Sequence, residues 1–224
     1  MSEKKKTTMK DIAHVLKVRT TWYCSFIIMG VYTIFAVLSY TISYLVDIYA
    51  MPLVMATFIG MVRNQVLRTV SGPIGGLITA KTRLKSPTKV IIVSLLLTTL
   101  GVMTILATPS QNAFMYVIIA VLLFLAFLNY VARGLYFATI GEVGTPNKTF
   151  GTTVGVASLI GFIPDVFVYP LIGSWQDHLP AEEAYRNMWL LGLGATVMGL
   201  IFALLLLRDI KGRSGIVQQT GKAG

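Results

Sequence analysis

Charge is what this sequence has least of. Only 12% of its 224 residues are Asp, Glu, Lys or Arg, while 55% are hydrophobic. A soluble domain carries about twice that share of charge, so a water-soluble globule is excluded. Cysteine is nearly absent as well: Cys24 stands alone, which rules out an intrachain disulfide and a CxxC site. The two histidines, His14 and His178, fall on opposite sides of the membrane under the topology below and cannot share a metal ion or a catalytic triad. Acidic residues number nine, and they form no paired-carboxylate arrangement. No metal site, no cofactor and no enzymatic activity is expected. Polar/apolar alternation is missing too, which excludes an outer-membrane barrel.

In place of these features stand six long apolar stretches, near residues 22–43, 53–79, 90–107, 113–137, 152–175 and 188–207. Each is long enough to cross a hydrocarbon core of about 30 Å as a helix. The expected fold is an all-α membrane protein of six transmembrane helices, with the lipid bilayer as its immediate partner. Residues 1–20 form a basic lead segment, 21–208 the six-helix bundle and 209–224 a tail. In the lead, Met9, Ile12, Val15 and Leu16 recur at helical spacing among Lys10, Asp11, Lys17 and Arg19. That pattern fits an interfacial amphipathic helix or a simple basic anchor. Hydrophilic and lysine-rich, it is not a cleavable signal peptide.

A net charge of +10 raises the question of nucleic acid, and its distribution answers it. With six spans, fifteen of the nineteen basic residues fall on the side of the termini, including Lys4–Lys6, Lys81, Arg83, Lys85, Lys89 and Arg208, and only Arg186 falls opposite. This is the positive-inside bias of a plasma-membrane (bacterial inner-membrane) protein with both termini cytoplasmic. Nucleic acid is not the partner. The sequon Asn147-Lys148-Thr149 then lies on the cytoplasmic side and reads as chance. Trp22 and Trp175 flank span ends as interfacial anchors. Gly151, Gly155 and Ser158 suit close helix packing. Tyr185 and Trp189 belong to an outer loop and are assigned no chemistry.

Three basic residues remain inside the spans: Arg63, Arg68 and Arg133. Intramembrane arginine is costly on even the lenient scales and marks a functional site by default. Arg63 and Arg68 lie about 140° apart around the helix, at roughly 100° per residue, so one lines a cavity and the other pairs within the protein. Arg68 is twelve residues before Ala80, and Asp165 is twelve before Asp177, about 18 Å of helix in each case. Both are therefore near the bilayer midplane. Two readings stand side by side: a structural Arg68–Asp165 ion pair, or an arginine that binds an anion with Asp165 as proton-coupling site. On the fourth span Asn129, Arg133 and Tyr136 form a polar stripe. Arg133 could contact substrate there, snorkel, or pair with Glu142. On the first span Tyr32, Tyr40 and Tyr44 or Ser43 form a stripe ending near Asp47, with cavity lining or core packing as its roles.

The segment Pro73-Ile-Gly-Gly76 recurs as Pro170-Leu-Ile-Gly173, 97 residues later, on the middle helices of two triplets that run in opposite directions. This is the pattern of two inverted three-helix repeats. Gly76-x-x-x-Ala80-Lys81-Thr-Arg83 is similar to the Gly-x-x-x-Asp-Arg/Lys-x-Gly loop of the major facilitator superfamily, with Ala80 in place of Asp and Arg83 in place of Gly. From about Lys10 to Arg208 the chain resembles the carboxy-terminal six-helix half of such a transporter. Arg133-Gly-Leu-Tyr136-Phe and Gly161-Phe-Ile-Pro164-Asp165 resemble a bacterial branch of uncharacterised or organic-anion facilitators.

The resemblance implies secondary active transport of a small, organic anion by alternating access, with Gly76, Lys81 and Arg83 in a structural loop. First and fourth helices would line the cavity, and second and fifth would abut another half. Arg63, Arg68, Asn129, Arg133, Tyr32, Tyr40 and Tyr136 are the candidate substrate-binding residues, and Asp165 the candidate proton-coupling carboxylate. A lone half needs a second half or a homodimer partner. The competing expectations are a non-transporting scaffold or assembly subunit, and a fragment of a longer gene.

Overall fold

The structure, a computed structural model, describes residues 9–81 and 86–220, with side chains to residue 212. Arg83, Lys85 and the lysines before Met9 lie outside the described residues, as do the last four positions. Helix α1 (Met9–Lys17) is short and amphipathic, burying Val15 against the bundle. After it come α2 (Arg19–Leu38), α3 (Thr41–Tyr49), α4 (Leu53–Met61), a π-helical turn (Val62–Leu67) and α5 (Arg68–Lys81). They are followed by α6 (Pro87–Ala107), α7 (Met115–Leu135), α8 (Ala138–Glu142), α9 (Asn147–Gly161), α10 (Pro164–His178) and α11 (Ala181–Thr220). No strand occurs among the described residues.

Five helical segments are long and apolar enough to cross a membrane: Arg19–Leu38, Pro87–Ala107, Asn112–Leu135, Asn147–His178 and Ala181–Gly212. The chain is an all-α membrane protein. The sixth expected span, 53–79, is helical from Leu53 to Lys81 but is not one regular apolar helix. A six-residue π turn divides it, and that turn holds the consecutive polar residues Arg63, Asn64 and Gln65, which lower its hydropathy. π turns are rare, and they often sit at functional sites.

Other boundaries move for identifiable reasons. The first span ends at Leu38 rather than near Ser43, and α3 restarts at Thr41, whose Oγ1 donates to Leu38 O at 2.6 Å. The fifth span breaks at Phe162 and Ile163, where Pro164 opens α10 at its first turn, the place a proline is tolerated. The expected outer loop is instead the start of α11. Tyr185 and Trp189 are both 2% exposed there, and Tyr185 Oη donates to Asp47 Oδ2 at 2.5 Å. The tail expected from residue 209 continues α11 to Thr220. Gly151 and Gly155 face open space, so they are not the close-packing face of α9.

Helix α2 packs on α11, α9, α10 and α7, while α7 packs on α6, α5, the π turn and α2. The α2–α11 approach depends on Gly30, where a Cβ would lie 2.6 Å from Ala195 O and 2.9 Å from Gly199 Cα. Segments α4–α5 and α9–α10 form the two flanks and keep much of their surface open. Leu53, Val54, Phe58, Leu159 and Val166 are all more than half exposed.

Candidate functional site

Tyr32 and Phe35 lie three residues apart on α2, as Tyr130 and Arg133 do on α7, so each pair shares one helix face. Where those faces meet, the Arg133 guanidinium carbon lies 3.8 Å from the Phe35 ring centroid and 5.4 Å from that of Tyr32. Such cation–π contacts contribute about 0.5–2 kcal/mol each, more when desolvated. Tyr32 also packs against Phe162, with ring centroids 4.7 Å apart and planes tilted by 47°, and its Oη donates to Asp165 Oδ2 at 2.8 Å. Phe35 meets Tyr130 edge-on at 6.3 Å. Tyr130 Oη in turn donates to Asn64 Oδ1 at 3.1 Å. Beside them Tyr40 Oη reaches Tyr169 O at 3.5 Å, with the two rings 6.2 Å apart.

Arg63 closes the other end of this patch. From the π turn its Nη1 donates to Thr41 Oγ1 of α3 at 3.3 Å, and its Nη2 to Oδ1 of the neighbouring Asn64 at 3.1 Å. It is 5% exposed, and its Nε has no partner among the described residues. All of its acceptors are neutral. A buried guanidinium without a carboxylate retains most of its desolvation cost, and the Nε N–H is left without an acceptor among the described residues. One connected patch thus runs from Arg63 through Asn64, Tyr130, Phe35 and Arg133 to Tyr32 and Asp165.

The structure redistributes the other candidates. Asn129 is 3% exposed and donates through Nδ2 to Val31 O at 2.8 Å, which ties α7 to α2 inside the bundle. Tyr136 is 5% exposed, packed at 4.5 Å against Phe137. Of the expected α7 stripe, then, only Arg133 reaches the open face. Positions 129 and 136 turn instead toward α2 and toward the core that holds Leu135 and Ile140. Arg133 does not pair with Glu142, whose carboxylate caps α6 by accepting from Ser86 Oγ, from Thr88 N at 2.9 Å and from Thr88 Oγ1 at 2.6 Å. Arg68 is exposed on α5 and forms no ion pair with Asp165 among the described residues. Tyr44 is core, in edge contact with Tyr185 and Trp189. Gly76 and Lys81 are exposed near the end of α5, and Arg83 lies outside the described residues.

Phe35, Asn64, Tyr130, Phe162 and Tyr169 belong to the patch and were not among the sequence candidates. The i, i+3 spacing of aromatic residues around Arg133 and the neighbour of Arg63 were the available signals.

Among curated proteins, the chain is 49% identical over 209 residues to "Inner membrane protein YqcE" of Escherichia coli (strain K12), covering 93% of this chain and 49% of that protein. "Inner membrane protein YihN" of the same organism is 27% identical over 203 residues, 91% of this chain and 48% of its own length. An "Uncharacterized protein" of Mycoplasma pneumoniae (strain ATCC 29342 / M129 / Subtype 1) is 31% identical over 141 residues, 58% of this chain and 62% of its own. With its five apolar helices, the chain is an integral inner-membrane protein. It spans about half the length of the Escherichia coli relatives it matches. No family model matches it, and no solved structure does.

Proposed function

We propose that this chain is one six-helix bundle of a secondary transporter, of the major-facilitator half-fold, which moves a small organic anion by alternating access together with a second bundle. The observation that carries the reading is the pair of arginines on one patch, Arg63 and Arg133, held by neutral acceptors and aromatic faces and by no carboxylate among the described residues. A guanidinium fork matches carboxylate, phosphate or sulfonate oxygens in a bidentate way. The aromatic rings fix the guanidinium of Arg133 without neutralising it. Of the two arginines on the second segment, Arg63 takes the binding role. Tyr32 links Arg133 to Asp165, the coupling carboxylate of this reading.

Two features support the inverted repeat. Under the offset that places Pro73 on Pro170, the π turn at Val62–Leu67 falls on the break at Phe162 and Ile163. Contacts also pair off as an internal two-fold requires: α2 with α11 answers α7 with α6, and α2 with α10 answers α7 with α5. The 53–81 segment then crosses the membrane as the sixth span, and both termini are cytoplasmic.

Uptake into proteoliposomes against a panel of small carboxylates, phosphates and sulfonates tests the reading. Arg63→Lys and Arg133→Lys are expected to reduce uptake of the carried anion at least about tenfold, and Asp165→Asn to abolish pH-driven accumulation. Normal carriage of a cation or neutral sugar, with no anion affected by either arginine change, would sink it.

A further inference from the structure

At the end of the bundle opposite α1, a cleft of about 160 Å³ opens between α3, the end of α6 and the start of α11. Its floor is aromatic and buried: Tyr44, Tyr185 and Trp189 are each 5% exposed or less. Trp189 meets Tyr44 edge-on at 5.5 Å, and its Nε1 has no hydrogen-bond partner among the described residues. The rim is polar, with Thr108 and Ser110 on one side and Glu182 and Arg186 on the other. Glu182 and Arg186 stand four residues apart on α11, both exposed, and neither forms an ion pair among the described residues. A carboxylate and a guanidinium one turn apart thus border the same opening uncommitted.

The cleft lies at headgroup depth. Thr108 is the C-cap of α6 and Ala181 begins α11, so both helices enter the membrane just past it, at the level where tyrosine and tryptophan rings belong. Two exposed apolar stripes lead away from it. On α6, Met103, Leu100 and Leu96 continue from Leu106 of the cleft; on α11, Leu190, Val197, Ile201 and Leu204 continue from Arg186. Steps of three, four and seven keep each stripe on one helix face, and α6 packs against α11. A soluble ligand makes no use of such stripes, whereas acyl chains lie along them.

We propose that this cleft binds a zwitterionic phospholipid whose headgroup carries a primary ammonium, a phosphoethanolamine ester. Arg186 takes the phosphodiester with its guanidinium fork, Glu182 accepts from the ammonium, and the acyl chains follow the stripes on α6 and α11. The glycerol ester carbonyls lie where headgroup meets chains, the level of Trp189, and are acceptors of the kind its N–H lacks. Charge decides the class of lipid. Glu183 stands beside Glu182, so two carboxylates and one guanidinium surround the opening, and a net-negative headgroup is disfavoured. The hydroxyl of Tyr185, on the cleft floor, ties α11 to Asp47 of α3 and to Gln176 of α10, so a lipid seated here braces three helices at this end. Neither Arg63 nor Arg133 takes part, so the site stands or falls apart from anion carriage.

The test is native mass spectrometry of the detergent-purified full chain, titrated with dioleoyl phosphatidylethanolamine, dioleoyl phosphatidylglycerol and soluble glycerophosphoethanolamine. Wild type is expected to bind phosphatidylethanolamine at least about fivefold tighter than phosphatidylglycerol, the scale of one partly exposed ion pair. Glu182→Gln should erase that preference, and Arg186→Gln should weaken binding of both lipids. Lys148→Gln, at the opposite end of the bundle, should change neither. Positions 182 and 186 are exposed, so these substitutions leave the fold intact. Equal affinity for the two lipids, or a preference that survives Glu182→Gln, overturns the site. Glycerophosphoethanolamine bound as tightly as the lipid overturns the lipid as occupant and assigns the cleft to a soluble ester.

Discussion

Arg133 is half-buried between two aromatic rings, and its position depends on Phe35 more than on any hydrogen bond. Replacing Phe35 with Leu removes a ring face 3.8 Å from the cation and keeps most of the apolar volume. The expected loss is about 0.5–2 kcal/mol of arginine positioning, read as a several-fold weaker anion affinity, whereas Phe35→Tyr stays near wild type. Equal affinities for the Leu and Tyr variants would show that the ring does not hold the cation. Asn129 gives the opposite prediction. Its bond to Val31 O at 2.8 Å is internal, so Asn129→Leu should lower stability by about 1 kcal/mol in a thermal melt and leave anion affinity unchanged. These two side chains also mark the limit of what the sequence discloses. That an arginine within a span is a candidate for function could be read from the cost of its burial, but whether Asn129 or Phe35 shares its face depends on how α7 rotates against α2. A periodicity count fixes spacing along one helix and says nothing of which direction its neighbour lies.

At the scale of elements, the π turn is the feature that selects between Arg63 and Arg68. One extra residue in a helix rotates everything beyond it by about 100°. Here it lets Arg63 point inward while Ser71 and Gly75 still face α7, with Gly75 3.4 Å from Val131 Cγ1 were it given a Cβ. Deleting Val66 should return the segment to regular α-helix, turn α5 off α7 and abolish anion binding. Val66→Ala, at an exposed position, should not. Retained binding in the deletion would mean that the turn has no positioning role. Six apolar stretches were legible as helices, yet this interruption was not, because no residue in Val62–Leu67 is a helix breaker. The split at Phe162 and Ile163 was signalled by Pro164, although proline is common enough in membrane helices to leave the break unassigned from sequence.

For the whole molecule, the account requires six crossings. Five segments qualify by length and hydropathy; the sixth, with its two arginines, crosses only if the bundle shields it. Cysteine introduced at Glu183 should react with an impermeant reagent from outside the cell, and at Lys148 only after permeabilisation, against a background in which Cys24 is buried. Five crossings would place those two positions or the termini on the wrong sides. The most direct measurement of the central claim compares a small carboxylate that the assembled protein carries with its neutral carboxamide, by equilibrium binding to purified protein in nanodiscs. If Arg63 and Arg133 hold an anion, the carboxylate binds at least about tenfold tighter, since a charge-assisted bidentate bond has about twice the strength of a neutral one. That preference should disappear in Arg63→Gln/Arg133→Gln. Equal binding of the two ligands, or a preference that survives the double substitution, would contradict an anion site on this patch.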